Sequence, residues 1–244
     1  PPQTPTSSAA PSSSVSRVPF VSGQAVLRGR VLFQGEIPER IRIEVTKDPE
    51  VCQCAPGDPK RKSPYKLDES LVVDAETKGI AHAVVWIRGV RGGPDRPEVV
   101  VDQRGCEFVP HVALLTPGGH LNVLNPDQIA HNYHSFAAQP GNPSENFSIT
   151  KHKKQARFPA EGGFAKPEFV RATCDIHPWM GMWVAVVENG FCAVTDTQGR
   201  FSILGLAPGT YTVAVWHETL SKTPCVQEAV LGTDGAELEI QLAP

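Results

Sequence analysis

Cys174, His177, Met180 and Met182 stand within nine residues of one another in the run CDIHPWMGM. A thiolate, an imidazole and a thioether this close form a soft donor set. Such a set suits copper far better than a hard cation, and zinc normally takes four strong ligands, among which a thioether does not rank. One tight loop cannot surround an ion, so a further ligand has to arrive from another strand. His131 in HNYHSF meets that need, reached from the strand-like LNVLN through the turn PDQIA. Plainer roles stay open: Cys174 as half of a disulfide, and either methionine as core filler. Two other histidines are candidates for extra ligands. His134 lies three residues after His131, and strand alternation turns it to the opposite, surface face. His111, in FVPHV, sits near the start of its own strand and could approach the metal end. His82, His120, His152 and His217 have weaker claims.

The elements that must position these residues read as strands. Short β-branched runs punctuated by Gly, Pro, Asn and Asp recur at 26–33, 41–45, 70–74, 83–90, 98–103, 120–125, 182–187, 191–196, 199–204, 210–216 and 236–242. No amphipathic helical pattern of useful length interrupts them. With 23 Pro and 21 Gly to make turns, this regular spacing predicts an all-β chain of sandwiches with little helix. The stretches 46–69 and 137–169 are polar and rich in turn-formers. They read as long loops carrying isolated short strands such as NFSI and KKQARF.

Composition sets limits. A chain of 244 residues builds one large domain or two small ones. A formal net charge of -3 offers no basic field for nucleic acid, and the single basic cluster at 151–154 (KHKK) is short enough to be a solvated loop. Nothing approaches the ~20 consecutive apolar residues of a membrane span. The first sixteen residues are uncharged and nearly all Pro, Ser, Thr and Ala, so residues 1–19 read as a flexible linker. A sequence that opens in such a segment, without Met or an apolar signal-type run, points to a mature exported protein. Its expected place is the periplasm or the outer cell surface, with a lipid or linker tether to hold it there. The six cysteines are Cys52, Cys54, Cys106, Cys174, Cys192 and Cys225. With Cys174 withheld for metal, at most two disulfides form. Cys52 and Cys54 are too close in sequence to pair with each other, and one of them bonding Cys106 is the expected bridge.

Two resemblances organise the chain. The tail TDTQGRFSILGLAPGTYTVAVWHE at 195–218 resembles the carboxypeptidase-regulatory-like, or transthyretin-like, β-sandwich. Modules of that family open with G-x-V and an apolar strand, which occurs here only at the other end of the chain, as GRVLFQGEIP and AHAVVWIRG. The expected domain is therefore discontinuous, 20–96 plus 189–244, with residues 97–188 inserted. That insert resembles the cupredoxins, small copper β-sandwiches with a Greek-key fold. Their first histidine follows a turn with Asn and Pro or Asp, and C-x2-H-x4-M comes before the last strand. Here His131 precedes Cys174 by 43 positions, and Met182 completes the spacing. The overall expectation is a Greek-key cupredoxin sandwich inserted into, or followed by, a second small β-sandwich.

The cupredoxin resemblance implies roles. His131, Cys174 and His177 form a trigonal plane, with a methionine as the long axial ligand. Asn132 hydrogen-bonds across to the cysteine strand, while Pro178 and Trp179 stiffen and shield the loop. HPWM also matches the H-x2-M of the dinuclear copper site in cytochrome oxidase, which makes Met180 the axial candidate and Met182 the alternative. That dinuclear site needs C-x3-C, and Val170 stands where its other cysteine belongs, so one copper ion is expected. The implied activity is single-electron transfer between protein redox partners, some of them membrane-bound, rather than enzymatic turnover. Copper delivery, or an accessory role in a larger periplasmic complex, is the alternative.

Overall fold

A computed structural model of the chain describes residues 19–55, 58–151 and 155–244. Residues 1–18 of the linker expected at 1–19 and most of the KHKK cluster, with His152, lie outside the described residues. The chain is all-β, as expected. One helical turn, Pro49–Cys52, is the only helix among the described residues.

Strands from both ends of the chain enclose a first core. Ala25–Phe33 lies between Arg200–Leu206 and Ala236–Leu242 in one sheet. The facing sheet runs Cys192–Val194, Val84–Arg88, Gly209–His217, Ser221–Leu231. Alternate residues point inward, and Leu27, Val31, Val85, Ile87, Ile203, Val213 and Ile240 meet between the layers. Residues 98–186 enclose a second core. One sheet runs Asn146–Ile149, His131–Phe136, Glu168–Thr173, Gly181–Val186, Val112–Leu115. It faces Gln155–Phe158, His120–Leu124, Glu98–Gln103 and Phe108–Val109. Val101, Leu121, Phe158, Tyr133, Val184 and both methionines, Met180 and Met182, fill the space between.

Period-2 alternation explains how the two sandwiches join. In Val84–Arg88, Val85 and Ile87 enter the first core while Val84 and Trp86 face the other way. Likewise Met182, Val184 and Val186 enter the second core, while Trp183 and Ala185 turn outward. These outward faces meet as a third apolar cluster, in which Trp216 stacks on Phe169 with ring centres 4.2 Å apart and planes 7° from parallel. Strands buried on both faces read as continuous apolar runs, which is why AVVWI and WVAVV carry no polar alternation.

Several strand expectations need correction, and Glu168–Thr173 begins within the stretch read as a loop. The run at 70–74 is a bend with an isolated bridge from Val73 to Ile80. Asp74 diverts it into a turn by accepting the Thr77 N–H and hydroxyl at 2.7 and 2.6 Å. Conversely Ser221–Leu231, absent from the expected strands, is the longest of those described. It is an edge strand paired only with Gly209–His217, so it tolerates Pro224 and leaves Val226 and Val230 exposed. Within 137–169, NFSI and QARF form the strands Asn146–Ile149 and Gln155–Phe158.

Candidate metal centre

The cysteine loop is shaped by its own backbone. Cys174 leaves the strand Glu168–Thr173, and its N–H donates to the Met180 carbonyl at 3.2 Å, while the Met180 N–H donates to the His177 carbonyl at 2.9 Å. The loop thus closes before Gly181–Val186 begins. Asn132 secures it from the neighbouring strand. Its Oδ1 accepts the Asp175 N–H at 2.7 Å and the Ile176 N–H at 3.4 Å, and its own N–H lies 3.5 Å from the Cys174 Sγ. Its Nδ2 donates to Asn146 and Asp175.

His131, at the start of its strand, and His177, in the loop, turn their rings toward each other. Their Nδ1 atoms are 3.0 Å apart, and the Cys174 Sγ is 3.9 Å from the His177 Nδ1. A first-row ion reaches imidazole nitrogen at about 2.0 Å and thiolate sulfur at about 2.3 Å. Donors at these separations can therefore share one ion. His131 and His177 are 0% exposed, and Cys174 and Met180 are 1% exposed, so the site is closed to bulk water.

The far side of each ring is occupied by a carboxylate. His131 Nε2 is 3.0 Å from Asp127 Oδ2, and His177 Nε2 is 2.9 Å from Asp48 Oδ2. An ionised carboxylate only accepts, so each Nε2 carries a proton, and in the neutral ring Nδ1 is the nitrogen left with a lone pair, facing the other ring. Asp127 is fixed in turn by the Gly105 and Cys106 N–H groups at 2.9 and 3.0 Å. Burial raises its pKa, but the His131 hydrogen bond and these amides pull it below the ordinary carboxylate value. Burial pushes the Cys174 thiol up, but hydrogen bonds from His131 and His177 reverse this and bring it to about 6. Burial would lower His131, yet Asp127 and Cys174 hold it above the usual imidazole value. The Cys174 sulfur and the His131 ring thus favour each other's charged form.

The other candidate residues fall outside this group. Met182 is buried in the strand Gly181–Val186 opposite Ala172, whereas Met180 closes the loop that begins at Cys174. His134 faces outward, 3.1 Å from Asp175, with Phe136 beside it. His111 does not approach the metal end. It bonds Glu218 and lies 3.5 Å from Glu69 in a separate cluster with His82, at the junction of the sandwiches. Met180 and His111 both border a small cavity of about 140 Å³. Trp179 shields His177, its ring centre 5.3 Å away and its indole N–H donating to the Cys106 carbonyl at 3.1 Å. Pro178 is exposed. Cys106 bonds Cys52, and both sulfurs lie within 4.8 Å of a His177 ring nitrogen.

Sequence reasoning missed both carboxylates. Asp127, four residues before His131, reads only as a turn residue of PDQIA. Asp48 is 129 positions from its histidine and left no signal.

No protein-family model matches the sequence, and no curated protein matches it. Among solved structures the chain is similar to the Cu-containing nitrite reductase from Thermus scotoductus SA-01, at 24% identity and TM-score 0.31 over 41% of this chain and 28% of that one. It thus spans less than a third of that enzyme's length. It is also similar to a Cu(I) form of an amicyanin mutant, at 18% identity and TM-score 0.32 over 42% of this chain and 98% of that one. A reduced amicyanin mutant gives 19% identity and TM-score 0.32 over 38% of this chain and 86% of that one.

Proposed function

We propose that this chain binds one copper ion through His131, Cys174, His177 and Met180, in a cupredoxin-like domain, and passes single electrons between protein redox partners. The observation that carries this reading is the convergence of two imidazole Nδ1 atoms and a thiolate, with both Nε2–H groups held from outside by carboxylates. Two lone pairs and a negative sulfur facing one another repel until a cation sits among them. The outer carboxylates are the partners that metal-binding histidines take. A thiolate with two imidazoles and a thioether favours copper among first-row ions.

Bound copper supplies a one-electron couple between Cu(I) and Cu(II). The chain's own residues do the rest. Asn132 pins the cysteine loop, Asp48 and Asp127 fix ring orientation, and the closed core keeps water from the donors. A site so enclosed holds a resident ion more naturally than one handed on, which favours a carrier over a delivery protein. Export to the periplasm or cell surface, with the N-terminal segment as a tether, fits this role. The first sandwich, in this reading a regulatory-like module, presents the copper domain to partners.

The test is addition of Cu(II) to the purified protein. An intense visible thiolate-to-copper band, lost in Cys174→Ser, is the expected result. Unchanged colour in Cys174→Ser would sink the assignment. Tight Cu(I) binding without the band would favour delivery.

A further inference from the structure

Two segments far apart in sequence reach the imidazoles from outside, and one covalent link joins them. Asp48 opens the turn Pro49–Cys52, and its carbonyl accepts the Val51 and Cys52 N–H groups at 3.1 and 2.9 Å. Cys52 therefore closes the turn whose first residue holds His177. The other half-cystine serves the second ring. The Cys106 N–H donates to Asp127, the carboxylate on His131, and the Cys106 carbonyl accepts the Trp179 indole. Cys106 has φ 57 and follows Gly105 at φ 60. A left-handed non-glycine residue is unfavourable in itself, yet here this backbone brings two successive amides onto one carboxylate. Both sulfurs are buried against His177.

We propose that the Cys52–Cys106 disulfide is a positioning element of the metal centre. It holds the Asp48 and Asp127 segments in one frame and so sets both carboxylate–imidazole pairs together. With each Nε2–H held, both rings keep the tautomer that turns Nδ1 inward. Without the link, only non-covalent contacts such as the Lys66–Glu107 ion pair at 3.0 Å join the 46–69 segment to the Cys106 turn, so Asp48 is held less closely and the amide that holds Asp127 is fixed less firmly. This inference rests on reading His131 and His177 as ligands, but its effect on the rings exists in the metal-free protein as well.

The experiment is the double variant Cys52→Ala/Cys106→Ala, which leaves no new thiol to compete for metal. In the apo protein at alkaline pH, ring nitrogen NMR should show the Nε2–H tautomer for both histidines in the parent and a tautomer mixture for both in the variant. In the copper-loaded protein, affinity should fall 10- to 100-fold, the range found when outer partners of ligand histidines are lost, and the charge-transfer band should shift. A folded variant with unchanged tautomers and unchanged band overturns the proposal and leaves the disulfide a staple. A parent that shows the expected tautomers but binds no copper overturns the functional reading and not the positioning role. Should the variant fail to fold, phosphine reduction of the folded parent, followed in the same ring spectra, replaces it. Retained fold with unmoved ring signals then counts against the proposal.

Discussion

His131 and His177 point their Nδ1 atoms at each other across 3.0 Å, and each ring's opposite nitrogen is held by an aspartate, Asp127 at 3.0 Å and Asp48 at 2.9 Å. The tautomer of each neutral ring is thus chosen by its outer partner, and the protein alone turns both Nδ1 atoms inward.

The two aspartates should differ in what their loss does. Asp48 sits at φ 46, a conformation asparagine tolerates, so Asp48→Asn keeps the backbone and removes only the charge. It should weaken copper binding by roughly tenfold with little change in stability. Asp127→Ala orphans the Gly105 and Cys106 amides as well, and should add a loss of about 1–3 kcal/mol in unfolding free energy. Competition against a Cu(I) chelator and urea titration measure the two effects separately. Equal loss of stability in both variants would refute the distinction.

Met180 and Met182 are equally buried but differently placed. Met180 takes part in the loop hydrogen bonds with Cys174 and His177, while Met182 packs within a regular strand. If Met180 is the axial ligand of the proposed copper, Met180→Leu should move the reduction potential by removing its thioether. Met182→Leu is a near-isosteric core change and should cost less than about 1.5 kcal/mol, with the potential unmoved. Voltammetry of both variants decides, and a shift in Met182→Leu alone would reverse the assignment.

The spacing within CDIHPWMGM and the turn before His131 made the convergence of His131, Cys174 and His177 legible, because loop and strand fix those residues locally. Asn132 was legible for the same reason, lying beside the cysteine strand once His131 is placed. Asp48 was not, because only the tertiary path of the polar loop at 46–69 brings it to His177. The all-β class followed from β-branched runs, and the doubly buried strands Val84–Arg88 and Gly181–Val186 announced themselves as unbroken apolar stretches. Ser221–Leu231 hid because an edge strand with one partner needs neither alternation nor the absence of proline. The run at 70–74 misled because β-branched residues there yield to the turn that Asp74 makes.

The junction of the sandwiches should be a single energetic unit. Trp216 is 3% exposed, stacks on Phe169 and meets Trp183 edge-on at 5.1 Å. Trp216→Ala should cost about 3–5 kcal/mol. If both cores lean on this contact, the parent unfolds in one transition and the variant in two. Calorimetry showing one unchanged transition in the variant would mean that the cores do not depend on each other here.

The same junction carries a charge cluster with its own pH signature. His111 is 7% exposed, bonds Glu218 and lies 3.5 Å from Glu69. Burial alone would lower its pKa, but the two carboxylates outweigh burial and raise it from 6.5 to about 9. Stability from this raised group is fully present below about 6.5 and is lost as pH rises through about 9. Burial opposes ionisation of Glu69 and Glu218, yet His111 holds both below 4.5, so their share is present above that value and is lost as pH falls through their depressed pKa values. Burial pushes the neighbouring His82 and His217 down to about 4, so the unfolded chain takes up protons that these two refuse, and stability drops further between 6.5 and 4. His111→Gln removes the alkaline limb and, with it, the hold that keeps Glu69 and Glu218 below 4.5. It should destabilise by about 3–5 kcal/mol near pH 6, the range for breaking a buried ion pair. The difference from the parent should shrink steadily as pH approaches and passes 9. Urea midpoints for parent and variant across that interval test it, and a difference that does not change with pH would show that His111 is held neutral.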